Sequence, residues 1–278
     1  MSADVTVIVA THDRADWLAI SLRSIQTSAA FARLRGIETR ILVVDDASPG
    51  DATRDVAQAV GADYLRNPVH DGRNDPSAAR VLGLEAIDSR YFAFFDDDDV
   101  MLPRWVPLHV EAMEGGVDVC SSAYVRTDAD LVPTRTTVPL VATMGDLLVG
   151  RISINTHSML RTDLAREVSW DPELAAVMEL PVWFEFMLRD CRFDRLAEPT
   201  YLHRRHDKNI SDRMSQDPRD AELRRMIIDR YRERVLERDG VIPEPTPKPA
   251  PAATRTPPRR PLVRRIAGRV RRWLSARV

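Results

Sequence analysis

Tyr91-Phe92-Ala93-Phe94-Phe95-Asp96-Asp97-Asp98-Asp99 is the stretch on which the fold turns. Its five apolar residues predict a buried strand. The strand runs into four consecutive carboxylates, with Pro103 soon after. Buried strands end where polar groups meet water, yet four like charges at that end repel one another. A divalent cation offsets the repulsion, and carboxylate oxygen suits Mg²⁺ or Mn²⁺. A hard cation at the carboxyl end of a parallel strand points to a phosphate-bearing ligand. Taken alone, a run of aspartates is more simply a solvated acidic turn; the rest of the chain reverses that preference.

Upstream, Val5–Val9 is a short β-branched strand with Thr11-His12-Asp13-Arg14 as its exit loop. Leu18, Leu22 and Ile25 give Trp17–Ser28 a helical period. Arg40–Val44 reads as a second buried strand, stopped by Asp45-Asp46, with a helix over Ala52–Val60 and a short strand at Ala62–Leu65. A helix at Ser77–Ile87 leads back to Tyr91–Phe95. This β-α-β-α order predicts a parallel sheet with right-handed crossovers, whose ligands bind beyond the carboxyl ends of its strands. Three such ends carry polar clusters: Thr11–Arg14, Asp45-Asp46 and Asp96–Asp99. Downstream, Trp105–Met113 and Val182–Leu188 read as helices and Val117–Val125 as a strand. Ala221–Arg238 is a charged helix with one apolar face.

The 278 residues and 44% hydrophobic content suit one large α/β domain or two intimate subdomains. Val5–Ala10 is too short for a signal core or a membrane span. Cys120 and Cys191 lack metal spacing, and a reduced cytosolic compartment is expected. Residues 243–278 hold ten Lys/Arg and one acid, Glu244, so the net charge of −2 leaves −11 on residues 1–242. A body of that sign argues against nucleic acid as a partner.

The basic tail needs its own reading. Pro243–Pro258 has the composition of an extended linker, on the order of 50 Å long at ~3.1 Å per residue. Over 259–278, Leu262, Val263, Ile266, Val270, Trp273 and Leu274 share one arc of a helix, with arginines opposite and no acid. That pattern predicts a basic amphipathic helix on an anionic membrane surface. A disordered tail, or a helix docked on the acidic body, is the alternative.

Together these residues resemble the family 2 glycosyltransferases over about residues 5–211. The resemblance implies a GT-A fold, in which a Rossmann-like, mostly parallel sheet is flanked by helices, here with a C-terminal helical extension. It implies a nucleotide-sugar-binding half at 1–120, an acceptor-binding half at 121–212 and a helical extension at 213–242. Val7–Arg14 looks like the opening strand and loop. Thr11 is then expected to line the nucleotide pocket, with His12 where an aromatic packs near the base and Arg14 alongside. Val43-Val44-Asp45-Asp46-Ala47-Ser48 looks like the family's Val-Asp-Asp-Gly-Ser, in which one carboxylate, Asp45 or Asp46, accepts a hydrogen bond from the base. Pro76–Leu84 resembles the Ala-Arg-Asn-x-Gly-Leu helix, with Val81 for Asn, and puts Arg80 within reach of the nucleotide.

By the same resemblance, Asp96–Asp99 is the DXD element. Asp98 would be the metal ligand, Asp96 would meet the ribose or the metal through water, and Asp97 would line the donor site. Tyr201–Ser211 looks like Tyr-x-x-Arg-x-His-x-x-Asn-x-Ser, which makes His206 a further metal or diphosphate ligand. The family's base lies in a Glu-Asp pair that reads Glu179-Leu180 here, after Trp170-Asp171-Pro172-Glu173-Leu174. Glu179 is the candidate base and Glu185 the reserve.

The implied activity is inverting transfer of a hexosyl group, with Mn²⁺ or Mg²⁺. The donor would be a nucleotide sugar, UDP-sugar favoured, and the acceptor a carbohydrate or lipid-linked hydroxyl. It would serve cell-surface polysaccharide or glycolipid synthesis at the cytoplasmic face of a membrane. A non-catalytic membrane-recruited nucleotide-sugar-binding module is the alternative from another class. A sugar-nucleotide pyrophosphorylase is disfavoured, since Thr11–Trp17 contains no glycine.

Overall fold

The computed structural model describes residues 3–69, 75–151, 154–207, 209 and 217–247. The basic helix expected at 259–278, most of the Pro-rich linker, and Lys208, Ile210 and Ser211 lie outside them. The first half alternates strand and helix: β1 (Val5–Thr11), α1 (Ala15–Arg33), β2 (Thr39–Asp46), α2 (Ala52–Ala59), β3 (Asp63–Asn67), α3 (Ser77–Glu85) and β4 (Tyr91–Phe94). These four strands pair in parallel, in the order β3-β2-β1-β4. Both faces of the sheet are covered. Val5, Val7 and Val9 point toward α1 and α4 (Trp105–Glu114), while Ile8, Leu42 and Val44 point toward α3 and α7 (Glu179–Leu188). Burial on both faces is why β1, β2 and β4 are largely apolar in their middles rather than alternating, whereas the edge strand β3 is polar and half-exposed.

The second half is mixed in direction. β5 (Val100–Met101), β6 (Val119–Thr127), β8 (Met159–Arg161) and β9 (Phe193–Arg204) continue the sheet as β4-β8-β6-β9-β5, and β7 (Pro133–Thr137) hangs on β6. β8 runs antiparallel to both β4 and β6, whereas β9 runs parallel to β6 with register shifts around Ala123. The sheet is therefore wholly parallel across its first four strands and mixed beyond them, where only β6 and β9 pair in parallel. α5 (Met144–Leu148), α6 (Thr162–Arg166), a 3₁₀ turn at Pro172–Val177 and α8 (Pro218–Asp239) complete the described structure. Tyr231 of α8 stacks on Phe184 of α7, with centroids 4.6 Å apart and planes 7° apart.

Register places the polar clusters. Thr11 lies opposite Asp45, and Ile8 opposite Phe94. Counting three residues beyond the latter pair brings Thr11 level with Asp97. The three strand ends singled out by sequence thus share one edge of the sheet. α3 lies against β1 and β2 because Gly83 has no side chain. A Cβ there would sit 2.5 Å from Ile8 Cγ2 and 3.0 Å from Val44 Cγ2.

Residues 1–246 form one compact unit. Residues 243–246, expected as the start of the linker, belong to it. Buried Asp146 of α5 accepts from the backbone N–H (3.1 Å) and Oγ1 (2.6 Å) of Thr246, while Arg151 donates to both Asp146 and the Thr246 carbonyl. No described helix is long and apolar enough to cross a membrane.

Candidate active site

The loop after β4 is irregular, so its backbone groups need partners from elsewhere. α1 supplies them from one buried face. Ser21 Oγ donates to the Asp96 carbonyl (3.1 Å), Ser24 Oγ accepts from the Met101 N–H (2.8 Å), and Ser28 Oγ accepts from the Val106 N–H (3.0 Å). Spacings of three and four residues put all three serines on that face. The four aspartates are thereby held fixed and largely out of water.

Each of the four is held by groups from elsewhere in the fold, and Asp97 and Asp98 share Arg14. Asp96 takes a 2.6 Å bond from Arg80 Nη2. Asp97 accepts from Thr11 Oγ1 (2.7 Å) and Arg14 Nη1 (3.1 Å). Asp98 meets Arg14 Nη1 at 3.2 Å and His206 Nε2 at 2.9 Å. Asp99, fully enclosed, accepts from the Arg204 N–H (2.8 Å) and from His203 Nδ1 (3.1 Å). Burial, then repulsion from Asp96, Asp99 and Asp97, pushes Asp98 up to about 8. Asp97 also rises, first through burial, whereas at Asp96 burial is outweighed by Arg80, His157 and His203 together, and its pKa is lowered. Burial and nearby Arg14 keep His206 toward its neutral, metal-ligating form. A buried carboxylate whose charge is opposed by three others, facing an imidazole, is a donor set that fits a divalent cation.

Asp96, Asp99 and His157 also present ligand atoms within 4.8 Å of one another. His157 Nε2 accepts the Asp96 N–H at 3.2 Å, burial disfavours its charged form, and Asp99 anchors β9. The described residues thus offer two sets that could hold a cation, Asp98 with His206 and Asp96 with Asp99 and His157.

The neighbouring strand end is a second pocket wall. Asp45 Oδ1 accepts the Ser48 N–H, and Oδ2 accepts Tyr64 OH (2.5 Å) and Arg66 Nη1 (3.1 Å). These bonds outweigh burial and lower the Asp45 pKa. Asp46 accepts from Asn67 Nδ2 at 2.6 Å, and its carbonyl meets His12 Nδ1, also at 2.6 Å. His12 is thus seated beside the Asp45-Asp46 end. Ala47 takes the family glycine's place at φ 58°, a left-handed conformation unusual for alanine.

The sequence profile described as Glycosyl transferase family 2 matches residues 6–161, more than half of the chain. The chain belongs to that family. It is 33% identical over 100 residues to the succinoglycan biosynthesis protein ExoO of Rhizobium meliloti (strain 1021), covering 36% of this chain. It is 27% identical over 131 residues to an uncharacterized glycosyltransferase of Rickettsia bellii (strain RML369-C), covering 46% of this chain. The matched stretches are only 27% and 18% of those relatives' lengths. Among solved structures, S. aureus TarS 1–349 in complex with UDP superposes with a TM-score of 0.59 at 16% identity, over 85% of this chain and 72% of that one. M. tuberculosis glucosyl-3-phosphoglycerate synthase gives 0.52 at 18% identity, over 87% and 82%. These likenesses establish the GT-A fold.

Within the family frame, the two candidate bases part company. Glu179 opens α7 beside the DXD loop. Its Oε1 accepts from Arg80 Nη1 (3.2 Å) and its Oε2 from Thr156 Oγ1 (3.3 Å). Arg80 therefore bridges Glu179 and Asp96. Burial raises the Glu179 pKa despite Arg80. The turn leading in is strained: Ala175 has φ 47° and ψ −124°, with its carbonyl held by Ser77 Oγ at 3.0 Å. Glu185 points the other way, onto α8. Arg189, Tyr231 and Arg234 hold it, and their hydrogen bonds outweigh burial to bring its pKa down to about 2. Leu180 is buried in the core.

Several site residues were not singled out by sequence. Trp17 packs against His206 (centroids 4.2 Å apart) and carries the guanidinium groups of Arg14 and Arg204 near its ring. Tyr64, Arg66 and Asn67 lie on β3, which reads as an ordinary edge strand. His157 sits alone in a weakly patterned segment. The serines of α1 had a signal: Ser21, Ser24 and Ser28 follow the same helical period as the apolar face.

Proposed function

We propose that this glycosyltransferase is a metal-dependent inverting enzyme using a UDP-sugar donor. The observation that carries the reading is the Arg80 bridge, which ties the DXD carboxylate Asp96 to the buried carboxylate Glu179. It puts donor-holding and proton-accepting groups within one side chain's reach. Thr11, His12 and the Asp45-Asp46 end wall the base pocket, and UDP in the TarS complex supports uracil as the base. Either carboxylate of that end would serve the base N–H, and at Asp45 the base would share an oxygen already held by Tyr64 and Arg66.

Asp98 and His206 would hold Mn²⁺ or Mg²⁺, and the ion when bound supplies positive charge to the leaving diphosphate. Arg14, Arg80 and Arg204 surround the same volume and favour an anionic leaving group. Glu179 takes the proton from the acceptor hydroxyl, whose oxygen attacks C1 opposite the departing nucleotide. A single displacement inverts the anomeric centre. Burial suits Glu179 to the role, because a carboxylate with a raised pKa is a better base. Likeness to ExoO supports a polysaccharide or lipid-linked acceptor. The tail, Arg259–Val278, would bring the enzyme to an anionic membrane surface.

Incubating the purified full chain with UDP-sugars, Mn²⁺ and a panel of acceptor glycans, with NMR of the product anomer, tests the reading. Inverted product is expected. Retention of configuration would exclude a single displacement, and binding without turnover would favour a non-catalytic module.

A further inference from the structure

On the acceptor side, β6 and β7 place two arginines directly opposite each other. Arg126 pairs with Arg135 in the antiparallel ladder, and with His203 of β9 on its other flank. Like charges directly opposite in a ladder are destabilising unless something neutralises them. No described acidic side chain does so, although both neighbouring strands are in place.

The same face carries a second oddity. Side chains alternate along a strand, so Arg126 shares its face with Tyr124. Tyr124 stacks on Tyr201 (5.1 Å between centroids) and meets His203 edge-on (5.7 Å). His203 in turn bonds Asp99. This is the face of the sheet that continues into the donor site. Thr137, opposite Tyr124, lies on it too. Arg126 Nε and Thr137 Oγ1 are both buried, and neither has a hydrogen-bond partner. Orphaned buried donors are costly, and here Thr137 Oγ1 and the Nε of Arg126 itself share one face of the ladder with a second guanidinium, Arg135. Missing are several acceptor lone pairs and negative charge, which is what an oxyanion brings.

We propose that Arg126, Arg135 and Thr137 form an anion subsite for the acceptor, so that the preferred acceptor carries a phosphate or carboxylate group close to the hydroxyl that is glycosylated. The inference rests on the glycosyltransferase reading of the adjoining donor site. It adds the substrate's charge, which that reading leaves open. The subsite is distinct from the diphosphate cluster of Arg14, Arg80 and Arg204. It lies across β9, on the strands that follow the DXD loop.

The test uses the full chain saturated with UDP and Mn²⁺, so that the donor diphosphate site is filled. Calorimetric titration with inorganic phosphate, glucose 6-phosphate, glucuronate and glucose then separates the chemistries. Binding of glucose 6-phosphate or glucuronate, but not of glucose, is expected, and which of the two binds more tightly tells phosphate from carboxylate. Arg126→Gln with Arg135→Gln should weaken that binding about tenfold or more, the loss of two charge-assisted contacts, with UDP affinity unchanged. Arg126→Lys should retain part of it. Arg135→Gln alone, at an exposed side chain, carries the test if the double variant does not fold. Equal anion affinity in wild type and variants, no anion binding by the UDP-loaded wild type, or parallel loss of UDP and anion would each overturn the proposal. If the wild type fails to bind UDP, the donor reading falls instead, and the same titration without nucleotide still decides the arginine site.

Discussion

Asp45, Asp46, Asp96, Asp97, Asp98 and Asp99 each receive at least one hydrogen bond or ionic contact from the protein itself. Farther along the sheet, Arg126 and Arg135 lie opposite each other in the β6–β7 ladder, and no described acid pairs with either. The contrast is between a site whose charges the chain arranges and half-neutralises, and a site whose charges are left for a ligand. The donor wall is pre-organised, and its serine-braced loop explains why. The proposed acceptor wall is built on a hairpin with one register shift against β7.

Glu179→Gln should break the link between the walls most severely. Transfer should fall about 10²–10⁴-fold with UDP affinity retained, since general-base removal commonly costs that much. Glu185→Gln should leave turnover intact and lower thermal stability through its lost bonds to Arg234 and Tyr231. The reverse pattern would make Glu185 the base. The pH profile sharpens the assignment. The base acts ionised, and its pKa is raised above the usual Glu range, so activity should fall as pH drops through that raised value.

Acid loss of the site must be distinguished from acid loss of the fold. His109, buried against Trp105 on α4, is pushed down to about 4 by burial. The unfolded chain takes up that proton first, at about 6.5. Stability present above about pH 6.5 is therefore lost as pH falls toward about 4, by about 3 kcal/mol over the window. Urea unfolding at pH 7 and 4.5 should show a steeper decline for wild type than for His109→Gln. Equal declines would locate the acid sensitivity elsewhere.

Smaller effects probe the donor scaffold. Gly83→Ala should cost ~1–3 kcal/mol by forcing α3 off β1, and it should weaken UDP binding by displacing Arg80. Calorimetric melting and UDP titration check both, and wild-type affinity in the variant would uncouple α3 from the site. Ala47→Gly should be neutral or stabilising by up to ~1 kcal/mol, because Ala47 already has φ 58°. Destabilisation in the melt would show that the methyl group packs usefully.

Much of the donor wall was legible because its signals are local. Continuous apolar strands ending in Asp45-Asp46 and Asp96–Asp99 mark one edge of a parallel sheet, and only register was needed to bring Thr11 to Asp97. The acceptor wall was less legible for a physical reason. β5, β7 and β8 are two to five residues long, and β9 pairs in parallel with β6 across a wide gap in sequence, so no local period announces them. Nothing local in the sequence pairs Arg126 with Arg135, and only the ladder sets them opposite. Asp146 likewise gave no hint that it would receive Thr246, a hundred residues on. A chain cut at Gly240 would lose that clasp, so the tail is better tested by replacing Arg264, Arg265, Arg269, Arg271 and Arg272 with Gln in the full chain. Co-sedimentation with anionic vesicles should then drop sharply, and unchanged binding would remove the membrane role.

The donor wall itself is tested most directly by calorimetry of UDP binding to wild type and Asp98→Ala, each with and without Mn²⁺. The account predicts that Mn²⁺ tightens UDP binding to the wild type and has no effect on Asp98→Ala, with His206→Ala between them. Mn²⁺-dependent UDP binding that survives unchanged in Asp98→Ala, or a wild type indifferent to Mn²⁺, would contradict it.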